Sequence, residues 1–150
     1  MKLFILRHGE AAFSMGSDAD RQLTPRGQAE TRAILQSAKE ALGEVTVIHA
    51  SPYDRAQQTA EIAAEILGLP VQTAANITPE HSLENMAGLV ERLEGETPLI
   101  VSHQPLVGRF VNWLAGLEPG REVMGTSALA ALETEVVAAD CGELLWLKQP

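Results

Sequence analysis

Three short apolar runs, Leu3-Phe4-Ile5-Leu6, Val45-Thr46-Val47-Ile48 and Leu99-Ile100-Val101, are separated by stretches whose apolar residues recur at helical spacing. Runs of this length bounded by turn residues read as strands buried on both faces, and strands alternating with helices require a mostly parallel sheet. The expectation is an α/β, three-layer fold with helices on both sheet faces. Its ligand site belongs outside the carboxyl ends of the strands.

The rest of the chain fits that frame. Thr24 reads as an N-cap with Pro25 at the first helical position of a helix that buries Thr31, Ile34, Leu35, Ala38 and Leu42 and stops at Gly43. Ser51-Pro52 repeats the cap-then-proline start for a second helix with Ala56, Ala60, Ala63 and Leu67 inward and Gly68 at its end. A short strand around Val71-Gln72-Thr73 follows, then a helix capped by Ser82 with Leu83, Met86, Val90 and Leu93 inward. Leu106, Val107, Phe110, Val111 and Leu114 describe a fourth helix, and strands near Ser127–Leu132 and Leu144–Lys148, joined by a turn at Asp140-Cys141-Gly142, pair antiparallel at the C-terminal edge. One short strand and one helix occupy the segment before Leu99, which leaves no room for a lid domain. At 150 residues the chain is the size of one ordinary domain, expected to span 1–150.

Chemistry gathers where the apolar runs end. The first run leads into Arg7-His8-Gly9-Glu10, the second toward Ser51-Pro52-Tyr53-Asp54-Arg55, and the third into Ser102-His103-Gln104-Pro105. A neutral histidine can attack phosphorus, arginine forks hold phosphoryl oxygens, and Gly9 lets backbone approach an anion. Helix starts after Pro52 and Pro105 would aim backbone N–H groups at the same anion. Eleven basic against twenty acidic residues give a net charge of −9, which excludes nucleic acid and anionic membrane as bulk partners. A phosphate site must therefore be a local arginine cluster. No apolar run approaches a bilayer span, and Met1-Lys2 leads into a strand with no leader pattern, so the cytoplasm is the expected location. The single cysteine, Cys141, rules out an intrachain disulfide and reads as inert.

Arg7-His8-Gly9-Glu10, Ser51-Pro52 with Arg55-Ala56-Gln57-Gln58-Thr59-Ala60, and Val101-Ser102-His103-Gln104-Pro105-Leu106-Val107 resemble the histidine phosphatase (phosphoglycerate-mutase-like) superfamily. The small size, with Ser17-Asp18, Arg21, Leu23-Thr24 and Thr126-Ser127-Ala128-Leu129-Ala130, is similar to its SixA-type phosphohistidine phosphatases. The resemblance implies a phosphoenzyme mechanism: His8 as nucleophile, Arg7 and Arg55 as phosphate clamps, His103 as the second imidazole at the phosphoryl group, and neither metal nor other cofactor. It also implies a phosphohistidine-bearing signalling protein, of the histidine phosphotransfer type, as substrate. Two guanidiniums beside His8 would keep it neutral by like-charge repulsion. The nearest candidate for a general acid is Glu80, needed less if phosphoryl passes between two imidazoles. Arg21 reaches the phosphate or the substrate protein from its loop, or is surface. Glu10 and Asp18 either orient loops or stay exposed, while His49 and His81 read as structural. The alternatives are a phosphatase of a small phosphometabolite, such as a phosphosugar-like ester, and a phosphohistidine-binding module without turnover.

Overall fold

The computed structural model describes residues 1–150, and at its centre lies a strand, Pro98–Ser102, buried at every position. A run buried on both faces needs ladder partners on both edges. In chain order the strands are β1 (Lys2–Arg7), β2 (Val47–Ala50), β3 (Val71–Thr73), β4 (Pro98–Ser102), β5 (Leu129–Thr134) and β6 (Gly142–Lys148), arranged as β3-β2-β4-β1-β5-β6. Strand β4 pairs parallel with β1, setting Arg7 opposite Ser102, and parallel with β2, setting Ala50 opposite Val101. Strand β5 runs antiparallel between β1 and β6. The sheet is mostly parallel, as the alternation predicts, and β5 and β6 form the expected antiparallel pair at its C-terminal edge.

Helices cover both faces: α1 (Pro25–Ser37), α2 (Lys39–Leu42), α3 (Asp54–Leu67), α4 (Leu83–Arg92) and α5 (Leu106–Leu114). The two-residue period of β1 sends Phe4 and Leu6 to a core with Leu35, Leu42, Ala60 and Ala63, and sends Leu3 and Ile5 to a core with Met86, Val90, Phe110 and Leu114. Between α3 and β4 the chain adds only β3 and α4, and no lid domain stands over the strand ends. No helix is long and apolar enough to cross a membrane.

Strands β5 and β6 run Leu129–Thr134 and Gly142–Lys148 where Ser127–Leu132 and Leu144–Lys148 are expected, Ser127 lying outside the strand with φ 61°, and three further boundaries differ, each for a local reason. The helix read as continuous to Gly43 breaks at Ala38, whose backbone leaves the helical region (φ −108°, ψ 11°) after the Ser37 hydroxyl donates back to the Ile34 carbonyl at 2.7 Å. Strand β2 begins at Val47 rather than Val45, because the Val45 N–H returns to the Leu42 carbonyl at 3.0 Å and completes the preceding turn. Helix α3 has Tyr53, not Ser51, at its N-cap, without a side-chain cap. Elsewhere the reading holds: the Thr24 hydroxyl accepts from Gly27 N–H at 2.9 Å, Ser82 and Asn85 form a reciprocal capping box, and Gly68 closes α3 with φ 70°.

Candidate active site

Strands β2, β4 and β1 are neighbours, so the segments leaving their carboxyl ends lie side by side. The ladder continues past them: His8 N–H donates to the Ser102 carbonyl at 3.1 Å, and Ser51 N–H to the Val101 carbonyl at 3.0 Å. His8, Ser51 and His103 are thereby fixed to one another through backbone. The two imidazoles, 6% and 1% exposed, have ring centroids 5.0 Å apart.

The His8 ring has a defined proton. Its Nδ1 lies 2.8 Å from the Gly9 carbonyl, which can only accept, so the hydrogen is on Nδ1. Its Nε2 accepts from the Arg55 Nε–H at 3.3 Å and carries the lone pair. Burial is the main force holding this imidazole neutral, lowering its pKa from 6.5 to about 4; the Gly9 carbonyl opposes, and Arg55, Arg7 and Arg21 add smaller repulsions. The expectation named the guanidiniums as the cause. They contribute, but desolvation is larger.

Arg55 occupies the first turn of α3 and is 4% exposed. Besides the bond to His8, it donates through Nη1 to the Asp18 carbonyl at 2.7 Å and through Nη2 to Asp18 Oδ2 at 3.0 Å. Its Cζ lies 5.1 Å from the Tyr53 ring centroid. Arg7 donates through Nη1 to the Met124 carbonyl at 3.0 Å, while its Nε is buried without a partner. Burial first, then the repulsion of Arg55, lowers the Arg7 pKa. A helix N-terminus and a second guanidinium both disfavour Arg55; the Asp18 carboxylate offsets part of this, and the unpartnered Arg7 Nε leaves a donor suited to a further anion.

His103 is held by Ser51, whose Oγ lies 2.7 Å from His103 Nε2 and accepts from Tyr53 N–H at 3.3 Å. His103 Nδ1 is buried and unpartnered. Burial, followed by His8 and Arg55, lowers the His103 pKa to about 3. Tyr53 stands edge-on to this ring at 5.1 Å. Neither Ser51 nor Tyr53 was assigned a place here by the sequence reading. Ser51 looks like a helix cap, and nothing in its spacing ties it to a residue 52 positions away.

The remaining candidates fall into place around this group. Gly9 serves packing rather than an anion: its N–H donates to Thr59 Oγ1 at 3.0 Å, and a Cβ there would stand 2.8 Å from both the Gly27 carbonyl oxygen and Thr31 Oγ1. Glu10 ties the loop to α1, its backbone carbonyl accepting from Thr24 N–H and its Oε1 from the Thr24 hydroxyl, both at 2.9 Å. Asp18, left open between orienting and exposed, is on Arg55. Arg21 reaches the Ala12 carbonyl at 3.1 Å, the Ala11 carbonyl at 3.2 Å and Asp18 Oδ1 at 3.3 Å, so it braces its own loop. Glu80 is exposed and accepts from the Tyr53 hydroxyl at 3.1 Å. Its own backbone N–H, then Thr78, holds its carboxyl below the usual range, so it is ionised at neutral pH. His49 is half-buried in β2, and His81 bonds Thr78 within its own loop. At the start of α5, Val107 N–H is taken by the His103 carbonyl at 2.9 Å and Gly108 N–H by Gln104 Oε1 at 2.7 Å, so these two amides are not free for an anion. No three His, Cys, Asp or Glu side chains converge as metal ligands.

Comparison with known proteins bears on this geometry. Residues 3–89 match the model of the histidine phosphatase superfamily (branch 1), a span that contains Arg7, His8 and Arg55 and ends before His103. The chain is 37% identical over 141 residues to phosphohistidine phosphatase SixA of Escherichia coli strain K12, covering 88% of this chain and 84% of that protein. It is 34% identical over 128 residues to a SixA homolog of Haemophilus influenzae, covering 77% and 78% of the two chains. Its fold superposes on the solved structure of the protein histidine phosphatase SixA complexed with tungstate with a TM-score of 0.89 and 33% identity, over 100% of this chain and 97% of the other.

Proposed function

This chain belongs to the histidine phosphatase superfamily, and from that premise we propose that it hydrolyses phosphohistidine on a partner protein through a covalent intermediate on His8. The observation that carries the proposal is the protonation of His8. With hydrogen fixed on Nδ1 by the Gly9 carbonyl, Nε2 carries its lone pair toward Arg55, while Arg7 Nε and, on the ring 5.0 Å away, His103 Nδ1 are buried without partners.

The reaction follows from those atoms. The phosphoryl oxygens displace the weak Arg55 Nε–His8 Nε2 bond and take the arginine donors, as charge-assisted bonds shorten and strengthen. His8 Nε2 attacks, a P–N bond forms to His8, and the P–N bond to the substrate imidazole breaks. The departing ring leaves as neutral imidazole because its other nitrogen already carries a proton, so no strong general acid is required. Glu80, ionised in the free protein, fits that requirement poorly as a proton donor and is not assigned one. His103 donates through Nδ1–H to a phosphoryl oxygen. In-line water then cleaves the His8–phosphorus bond and releases phosphate, with no metal in the cycle.

The likeness to the SixA proteins supports phosphohistidine as the substrate group, and the uncovered strand ends support access by a folded partner such as a histidine phosphotransfer domain. All 150 residues act as one domain in this reading. The test is steady-state turnover of a phosphohistidine peptide against a panel of phosphosugars and other alkyl phosphates. Preference for the peptide is expected. Efficient phosphosugar turnover with none on the peptide would overturn it.

A further inference from the structure

We infer that the carboxylates of Asp18 and Glu80 form an anionic rim that selects the substrate class: a phosphoryl group carried on an N–H-bearing imidazole is admitted, and a phosphate ester with a second negative charge is turned away. The inference rests on the function proposed above and identifies what gives that site its preference.

The rim is built on the catalytic residues themselves. Arg55 has five N–H groups, of which Asp18 takes one on Nη1 through its carbonyl and one on Nη2 through Oδ2. Asp18 therefore caps the Nη1/Nη2 end of the guanidinium. The other edge, Nε with the second Nη2 hydrogen, faces His8 Nε2. So Asp18 leaves the phosphoryl seat open and lies outside it, its side chain 55% exposed against 5% for Arg55. Glu80 is placed by Tyr53, whose ring packs against both Arg55 and His103 and whose hydroxyl donates to the Glu80 carboxylate. Asp18 thus touches Arg55 directly, and Glu80 is linked through Tyr53 to Arg55 and His103.

Both are charged at neutral pH. Partial burial of Asp18 raises its pKa, but hydrogen bonds from Arg55 and Arg21 outweigh it and the net shift is downward. Arg21, the cation beside Asp18, is tied to the Ala11 and Ala12 carbonyls and to Asp18 Oδ1, so it is not a free receptor for a second anion. The floor is cationic and the rim anionic. A phosphoryl dianion meets only the floor, whereas the leaving group, opposite His8 in an in-line displacement, departs past the rim. An imidazole N–H finds acceptors there. A substrate carboxylate or second phosphate finds repulsion.

A matched pair of esters isolates the charge: phenyl phosphate and 4-carboxyphenyl phosphate. Their kcat/KM values, or inhibition constants where an ester binds without turnover, are measured with wild type, Asp18→Asn, Glu80→Gln and the double variant. Asp18→Asn keeps a hydrogen-bond acceptor for Arg55, and both side chains are exposed, so folding is preserved. Removing one unit charge several ångströms away in a solvated mouth relieves discrimination by about three- to tenfold. Each variant should improve the carboxylated ester relative to phenyl phosphate by that factor, the double variant by more, and added salt should shrink the wild-type difference. The phosphohistidine peptide should decline relative to phenyl phosphate in the same variants. An ester ratio equal in wild type and all variants would overturn the rim, as would equal losses on both esters, which would mean Asp18 only positions Arg55. A wild type inactive on the peptide but with a responsive ester ratio would instead overturn the proposed function and leave the rim charge standing.

Discussion

Ser51 Oγ lies 2.7 Å from His103 Nε2 and accepts from the Tyr53 N–H, which leaves its own hydroxyl hydrogen for the imidazole. In the proposed reaction Ser51 is the donor of that bond, and the imidazole proton then sits on Nδ1, the buried atom without a partner. Ser51→Ala removes this constraint, and losing a hydrogen bond to a buried polar group is worth about tenfold or more in rate when that group must donate in the transition state. We expect kcat to fall by that factor and the His103 ring ¹⁵N shifts to move toward a tautomer mixture. Unchanged kcat with unchanged ring shifts would remove Ser51 from the mechanism.

Covalent catalysis by His8 has a chemical signature. A phosphoramidate is lost in acid and kept in alkali, so rapid quench during turnover should trap alkali-stable, acid-labile phosphate on His8. His8→Ala should abolish both label and activity. An acid-stable label would place the phosphoryl group on a different residue type.

Arg55→Ala should keep its fold, since Asp18, its ion-pair partner, is more than half exposed and can be solvated. The rate should fall at least about a hundredfold in kcat/KM if the guanidinium stabilises the transferring group. Arg55→Lys should restore only a fraction, lacking the fork that serves His8 and Asp18 together. With arginines supplying the positive charge, excess chelator should leave wild-type turnover unchanged, and its loss on chelation would require a metal.

The two buried histidines make stability fall with acid. Their native pKa values are lowered, His8 to about 4 and His103 to about 3, against 6.5 for the free side chain. Above pH 6.5 both states hold them neutral and they add no pH dependence. From pH 6.5 down to the native values, only the unfolded chain takes up protons, so the native state loses stability across that window. Urea midpoints should drop from pH 7.5 to 5, and less steeply in His8→Gln. A His8 C–H resonance titrating near pH 6.5 would refute the depressed value.

Two helical glycines should respond oppositely to alanine. A Cβ at Gly27 would stand 2.2 Å from the Glu10 carbonyl oxygen, backbone that cannot yield without moving the nucleophile's loop. Gly27→Ala should cost about 3 kcal/mol or prevent folding. At Gly88 the nearest atom is the mobile Arg92 Nη1 at 3.4 Å. Gly88→Ala should be neutral or stabilise by up to about 1 kcal/mol through helix propensity. Equal behaviour on thermal melting would refute the close approach.

The sequence revealed most where burial is complete on both faces. Strands β1 and β4 and helix α5 are legible because nothing but core demands such continuous apolarity. It misled where one residue type serves two purposes. Val45 is as apolar as Val47, but it closes a turn, since apolarity reports burial and not backbone direction. Ser51 before Pro52 looks like a cap, and its hydroxyl is taken by a residue distant in sequence. Gly9 suits an anion by its missing Cβ, yet what approaches it is α1. The motif residues His8, Arg55 and His103 were readable from their strand and helix ends; the Asp18 contact was not, since a loop's long-range partner leaves no periodic trace.

The full burial of β4 also bears on when the molecule comes apart. Amides of Phe4–Leu6 and Leu99–Val101 lie in the middle of the sheet with cores on both faces, so their hydrogen exchange should await global unfolding. The segment carrying Asp18 has a single 3₁₀ turn and solvent-facing bonds, with Phe13 85% and Met15 95% exposed, and should exchange at much lower opening cost. In mild denaturant the rim would then loosen while the nucleophile stayed seated, and discrimination between substrates would vanish before turnover does.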